Sequence, residues 1–335
     1  MTKRPISTTI LAAALCATLF AASALAAPPV ASTGAPPAAA DDNPAVGGVL
    51  RDLIPALSAP AALAPIAAPS TPAPSASGFS SIVEGFVDRW LAMVTKTQNE
   101  QPHWVTPIVT VTPRLEQEYR YDQFFESAAN GVAVNSFGGA KGLELIPQQN
   151  IETIIGVPAY LNRNFPRNTD GFSDWPFLVK LRLLSADEDD GNYIVTAFMG
   201  FSVPTGSEVN GAGHGLFTPT LAGGKGFGDF DIQSTLGVTF SDGGLDRLGA
   251  PVQWNTTFQY HFWKYFWPEF ETNYTWQSYG EETGHNVLFL MPGILIGRIP
   301  IHNRIGLTFG GGYQIAVTKY HPYNHNLILT ARIPF

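Results

Sequence analysis

The residues of this chain that could do chemistry recur at every second position. Glu116, Glu118, Arg120 and Asp122 alternate along one stretch, and Glu269 and Glu271 along another. Lys180 and Arg182 form a basic counterpart, while Glu152, Asp231, His261 and Arg332 hold the same parity within stretches of their own. In extended chain, side chains two residues apart point the same way about 7 Å apart. Glu269 and Glu271 could therefore act as an acid–base pair or a cation site, although carboxylates so placed more often pair with a base on a neighbouring strand. Ser202, Ser234 and His261 could share a face, but no nucleophile elbow accompanies them. Gly224-Lys225-Gly226-Phe227-Gly228 has the glycines of a phosphate-binding loop without the helix that must follow, so it reads as a turn. His321, Tyr323 and His325 alternate in a loop, with His285 in another, and lack metal-ligand spacing. The chain is expected to be no enzyme and to need no metal or cofactor.

These residues need elements to position them. The 335 residues carry a formal charge of −8, with 33 Gly, 27 Pro and 12% aromatics. Lys3 and Arg4 precede an apolar run from Ile10 to Phe20, and Ala24-Leu25-Ala26 matches a signal-peptidase site, so residues 1–26 read as a cleavable secretory signal. Removing those two positive charges takes −8 to −10, a poor balance for binding nucleic acid. The single cysteine, Cys16, lies inside the signal, which leaves the exported chain without thiol chemistry. Residues 27–77 are rich in Ala, Pro and Ser and read as a disordered linker. Residues 78–104 hold a short amphipathic helix, about Ser80 to Thr97, and a connector. Ile82, Phe86, Val87, Trp90 and Val94 give that helix an apolar face for the mouth of whatever follows.

From about residue 105 to Phe335 the periodicity changes to two. Val252, Trp254, Thr256, Phe258, Tyr260 and Phe262 share one face, with Gln253, Asn255, Thr257, Gln259 and His261 on the other. Twelve such runs are predicted: 115–126, 139–146, 150–158, 174–184, 192–203, 215–226, 229–240, 251–262, 265–277, 285–297, 304–317 and 325–335. Short connections (147–149, 227–228, 263–264) alternate with long ones (160–173, 204–214, 241–250). Apolar and aromatic residues out, polar residues in, and an even strand count are the marks of a barrel in a bacterial outer membrane. Closure leaves no unpaired edge in lipid. The sequence therefore predicts an all-β fold: a closed antiparallel up-and-down transmembrane barrel of about twelve strands with a short N-terminal helix. The twelve ionisable residues named at the outset would then line its lumen.

The last strand is the most specific feature. Leu327, Leu329, Ala331, Ile333 and Phe335 alternate to the final residue. This ending resembles the signal by which the barrel-assembly machinery recognises its substrates. The stretches Pro113-Arg114-Leu115-Glu116, Gly142-Leu143-Glu144-Leu145-Ile146-Pro147, Ser202-Val203-Pro204-Thr205-Gly206, Gly224-Lys225-Gly226-Phe227-Gly228 and Thr330-Ala331-Arg332-Ile333-Pro334-Phe335 are similar to those of outer-membrane proteins of the MetA-pathway-of-phenol-degradation type. That resemblance implies a channel or transporter embedded in the outer-membrane bilayer and names no solute. The expectation is passive passage of small molecules, apolar or aromatic ones among them. A structural or adhesive barrel with a filled lumen is the alternative, and a membrane-embedded lipid-modifying enzyme the third reading.

Overall fold

The computed structural model describes residues 76–128, 130–139, 141–165, 169–207 and 209–335, so the signal segment and the Ala/Pro-rich stretch up to residue 75 lie outside the described residues. Helix α1 spans Ala76–Asn99. Its first half, to Val87, falls in a separate unit and exposes Ile82, Val83, Phe86 and Val87. Asp88–Phe335 belongs to the other unit.

In that unit sixteen strand segments form one antiparallel sheet. They are β1 (Glu118–Ser127), β2 (Ala133–Phe137), β3 (Gly142–Gln148), β4 (Ile151–Gly156), β5 (Tyr160–Arg163), β6 (Gly171–Phe172), β7 (Trp175–Ala186) and β8 (Tyr193–Val203). The rest are β9 (Leu216–Phe227), β10 (Phe230–Val238), β11 (Phe240–Ser241), β12 (Pro251–Tyr260), β13 (Phe266–Gln277), β14 (Asn286–His302), β15 (Ile305–Ala316) and β16 (His325–Pro334). The sheet closes because β1 pairs with β16 at every position from Glu118↔Pro334 to Ser127↔His325. Around the ring the order is β1-β3-β4-β7-β8-β9-β10-β12-β13-β14-β15-β16, which is twelve strands. Every strand in this circuit runs antiparallel to its neighbours, as the alternation of short and long connections predicts.

The four surplus segments come from interrupted strands, and one of them, β11, continues β10 along β9. β1 pairs with β3 only at Glu118 and Tyr119, then with β2 from Gln123 to Ser127. β2 therefore continues β3, β5 continues β4, and β6 continues β7, with breaks near residues 138–141, 157–159 and 173–174. The breaks are bridged by Gly138 N–H to Asp122 O at 3.0 Å and Ser173 N–H to Ala159 O at 2.8 Å. The periodicity places a strand at 139–146, across the first break, and assigns 160–173 to a loop. The sheet instead resumes at β5 and β6, because Pro158 can lie only where the ladder needs no donor.

We call the end that carries the C-terminus the base and the opposite end the rim. The outward face is apolar along the whole ring: Tyr119, Tyr121 and Phe125 on β1, Leu181 and Leu183 on β7, and Leu327, Leu329 and Ile333 on β16 are all exposed. Aromatics gather at the base around Tyr260, Phe262 and Trp263, and toward the rim at Trp175, Phe217 and Trp276. The second half of α1 packs at the base. There Val94 is buried with Leu115 and Ile146, and the Trp90 indole N–H donates to Ile146 O at 2.7 Å.

The inward face is less polar than the parity reading expects. Ile154, Leu178, Ile194, Phe198, Met291, Leu295 and Ile328 all point inward and are buried. Apolar groups facing a water-filled lumen would be costly, so something dry must cover them.

Candidate functional site

What covers them is the chain itself. Residues 101–117 form no helix or strand, yet all except His103 and Val109 are buried. The segment bonds to side chains of β1, β4, β7, β8, β10, β13, β14 and β16, strands taken from all round the ring. Only a segment inside a closed barrel can reach all of them. It rises from the base along residues 101–106, turns at Pro107–Thr110, and returns along 111–117 into β1. Three prolines, Pro102, Pro107 and Pro113, keep it from pairing as a strand of its own.

The foot of the loop is closed by Gln101, whose side chain donates to Leu115 O and accepts from Leu115 N–H, at 2.8 and 2.9 Å. Arg114 crosses to the carbonyls of Pro102 and Trp104, and it pairs with Glu116 at 2.5 Å. Arg298 of β14 donates to His103 O and Trp104 O, each at 2.8 Å. At the outer edge Glu188, in the β7–β8 turn, accepts from His103 N–H at 2.6 Å and from its ring Nδ1 at 2.8 Å. Partial burial pushes the Glu188 carboxyl up, but the His103 bonds outweigh it and hold the group below the usual carboxylate range.

The apex is gripped by charge. Glu271 accepts Val109 N–H and Thr110 N–H at 2.7 Å each, and the Thr110 hydroxyl at 2.5 Å. Glu269 accepts Ile108 N–H at 3.1 Å and is itself held by Gln259 at 2.7 Å. From β1 and β16, Arg120 donates to Pro107 O and Ile108 O, and Arg332 to Thr106 O and Pro107 O. Asp122 fixes the Arg120 guanidinium at 2.9 Å.

On the descending leg Thr112 donates to Gln233 at 2.7 Å, Lys180 to Arg114 O at 3.1 Å, and Thr196 to Pro113 O at 2.5 Å. Glu116 N–H donates to Glu152, which also pairs with Lys180 at 2.9 Å. The loop's apolar side chains fill the spaces between. Trp104, Val105 and Ile108 pack with Ile194, Trp267, Met291, Leu295 and Ile328, and Val111 packs with Ile154, Leu178 and Phe198.

Two wall glycines are seats for this loop. A Cβ at Gly224 would stand 2.5 Å from Cζ3 of Trp104, and one at Gly293 would stand 2.8 Å from Cδ1 of Ile108. A cavity of about 10 Å³ remains between loop and wall beside Glu118 and Arg332, room for at most about one water.

The sequence-predicted residues therefore fall into groups. Arg120, Asp122, Glu269, Glu271 and Arg332 meet at the apex, and Glu116, Glu152 and Lys180 meet on the descending leg. Arg182 stands at the base, where it bonds Asn150 at 2.6 Å, Thr97 O at 2.7 Å and Glu100 at 3.1 Å, fastening the end of α1. Asp231 reaches the loop through Gln233, which it holds at 3.0 Å. Glu118 faces Glu144 across the short β1–β3 ladder. His261 lies past the end of β12, its ring stacked on Trp267 at 4.1 Å in the basal turn, away from the others. Glu269 and Glu271 are taken up by loop amides, the Thr110 hydroxyl and Gln259. Among the described residues no group of three or more His, Cys, Asp or Glu side chains is placed to hold a metal.

The sequence matches no known family profile and no curated protein. Among solved structures the fold is similar to an outer-membrane channel from Pseudomonas putida F1, at 14% identity and a TM-score of 0.44, covering 65% of this chain and 94% of that one. It is also similar to the translocator domain of the autotransporter NalP from Neisseria meningitidis, at 9% identity and a TM-score of 0.41, covering 78% and 97%. At such scores the function has to be argued from the lumen itself.

That lumen uses residues that parity alone does not single out: Gln233, Gln259, Thr196, Arg114, Arg298 and Trp104. The run Val105-Thr106-Pro107-Ile108-Val109-Thr110-Val111-Thr112-Pro113 carried the signal. It alternates like a strand but holds two prolines, which a central strand excludes.

Proposed function

We propose that the chain is an outer-membrane channel for small solutes, with residues 101–117 as a plug that closes it in the conformation described. The observation that carries this reading is how the plug is held. Its apex is fixed mainly by side-chain groups on its backbone amides and carbonyls, which water or a solute can replace, and the wall glycines provide a seat it can leave and re-enter. The continuous apolar exterior and the closed ring support a location in lipid. The short turns and the C-terminus share one end, which supports a periplasmic position for the base, the second half of α1 and the foot of the plug. The alternation ending in Phe335 supports delivery by the barrel-assembly machinery, and the five stretches quoted above support membership of the MetA-pathway type.

The filled lumen also suits a purely structural barrel, and one experiment separates the two. Conductance of the refolded protein in planar bilayers is compared with that of a variant whose residues 103–112 are replaced by Gly and Ser at equal length. A channel gives a closed or briefly opening wild type and a steadily conducting variant. A variant as silent as the wild type would favour the structural barrel.

A further inference from the structure

The apex of the plug is bound as a free peptide would be. Three successive amide N–H groups, of Ile108, Val109 and Thr110, point at two carboxylates of β13. The carbonyls of Thr106, Pro107 and Ile108 point at two guanidiniums of β1 and β16. Counting round the ring, β13 stands three strands from β16 and four from β1, a quarter to a third of the circuit. The lumen is thus crossed at one level by an acidic side and a basic side. All four charged residues are nearly or fully buried, Glu271 at 0% and Arg120 and Arg332 at 1% exposure.

Neither pair neutralises the other directly. Among the described residues Glu269 and Glu271 make no salt bridge; they bond each other, loop amides, the Thr110 hydroxyl and Gln259, and of the two guanidiniums Arg120 has a carboxylate partner, Asp122. Buried charges without a salt-bridge partner are costly unless hydrogen bonds satisfy them. Here most of those bonds come from the plug backbone, so when the plug leaves, the four groups lose partners that only like chemistry replaces. An aliphatic or aromatic hydrocarbon offers none.

We propose that this constriction selects small dipolar solutes, amino acids and short peptides, whose ammonium or amide N–H groups meet Glu269 and Glu271 and whose carboxylate or carbonyl oxygens meet Arg120 and Arg332. The plug apex is their built-in competitor. This rests on the channel reading and narrows its solute class, away from the apolar solutes expected from sequence.

The test uses full-length protein carrying Gly224→Val, whose new side chain meets Trp104, and separately Trp104→Ala as a second way to loosen the plug. Folding is checked by the heat-dependent gel shift of a closed barrel. Swelling of liposomes holding each variant is followed with glycylglycine, a neutral polyol and a dicarboxylate of similar size. Glycylglycine is expected to enter about tenfold faster than the polyol, the scale of one charge-assisted hydrogen bond. Adding Glu271→Gln or Arg120→Gln should bring that ratio close to one, whatever either substitution does to the polyol rate itself. Entry without preference, or a preference that survives both substitutions, overturns the proposal and leaves the channel reading standing. Entry of no solute through either loosened variant overturns the channel reading, and this proposal with it.

Discussion

Glu271→Gln is the substitution that asks most directly whether the plug is held by charge. The wild-type carboxylate uses both oxygens on the loop: one takes Val109 N–H at 2.7 Å, the other Thr110 N–H at 2.7 Å and its hydroxyl at 2.5 Å. A glutamine of the same shape has one acceptor oxygen, and its NH₂ group would face a donor whichever way it turns. At least one loop amide is then left buried without a partner, at a cost of about 1–3 kcal/mol, and the remaining bonds lose their charge assistance. Together these weaken docking by about 2–4 kcal/mol. At 1.4 kcal/mol per factor of ten, local opening becomes about 30- to 700-fold more frequent. The assay is amide hydrogen exchange of the refolded protein, followed at Val109 and Thr110, with wall amides such as those of β15 as internal reference. Acceleration confined to residues 103–117 is the expected result. Unchanged exchange at Val109 and Thr110 in a folded Glu271→Gln barrel would refute the claim that this carboxylate holds the apex.

Other consequences follow from the same geometry. Lys180→Met strands the buried Glu152 carboxylate and should cost about 3–5 kcal/mol, read as a lower urea midpoint in detergent. Lys180→Met with Glu152→Leu should recover most of that loss, although Arg114 O and Glu116 N–H then lose partners. Glu188, held below its ordinary range, contributes docking free energy that is fully present above the unfolded carboxylate value of about 4.3 and is lost as pH falls through its folded value. The pair is about half exposed, so the effect is under about 1 kcal/mol. His103 amide exchange, corrected for its intrinsic pH dependence, should rise toward pH 3 in the wild type and stay flat in Glu188→Gln. Deleting Phe335 removes one backbone bond at the end of β16, from Phe335 N–H to Gln117 O at 3.1 Å. Refolding in detergent should therefore survive, while the amount of barrel assembled in cells falls severalfold, as membrane fractionation would show.

The wall was legible in the sequence because its physics is local. Alternation, turn residues and an even count need no knowledge of distant contacts, and the positions from β7 to β16 follow from them within a few residues. β1 is the instructive exception. The pattern begins at Leu115, but the wall begins at Glu118, because Leu115, Glu116 and Gln117 belong to the descending leg, which meets α1, Gln101 and β4. The plug itself was hidden by a similar likeness, since an extended segment packed inside a barrel alternates like one in its wall. Its prolines were one signal. The other lay in the wall, where Ile194, Phe198, Leu178 and Ile328 stand on the parity assigned to the polar lumen. Apolar residues on a face meant for water imply a dry partner, and the partner is non-local, so periodicity cannot name it.

The division of labour between these two kinds of wall residue argues for a plug that moves. Apolar inward residues crowd both legs, where Trp104 sits against Gly224 and Val111 against Phe198, and there they stabilise whatever occupies the lumen without regard to its hydrogen bonding. The apex instead meets carboxylates and guanidiniums brought from strands a quarter of the ring apart. A permanent filling would be held more cheaply by an all-apolar core, because each buried charge carries a desolvation cost that its bonds only offset. Charges retained at the one level where the lumen is crossed from both sides are of use chiefly when something other than the plug must be recognised there. The same groups would then close the channel on the chain's own peptide and open it to a solute that resembles one.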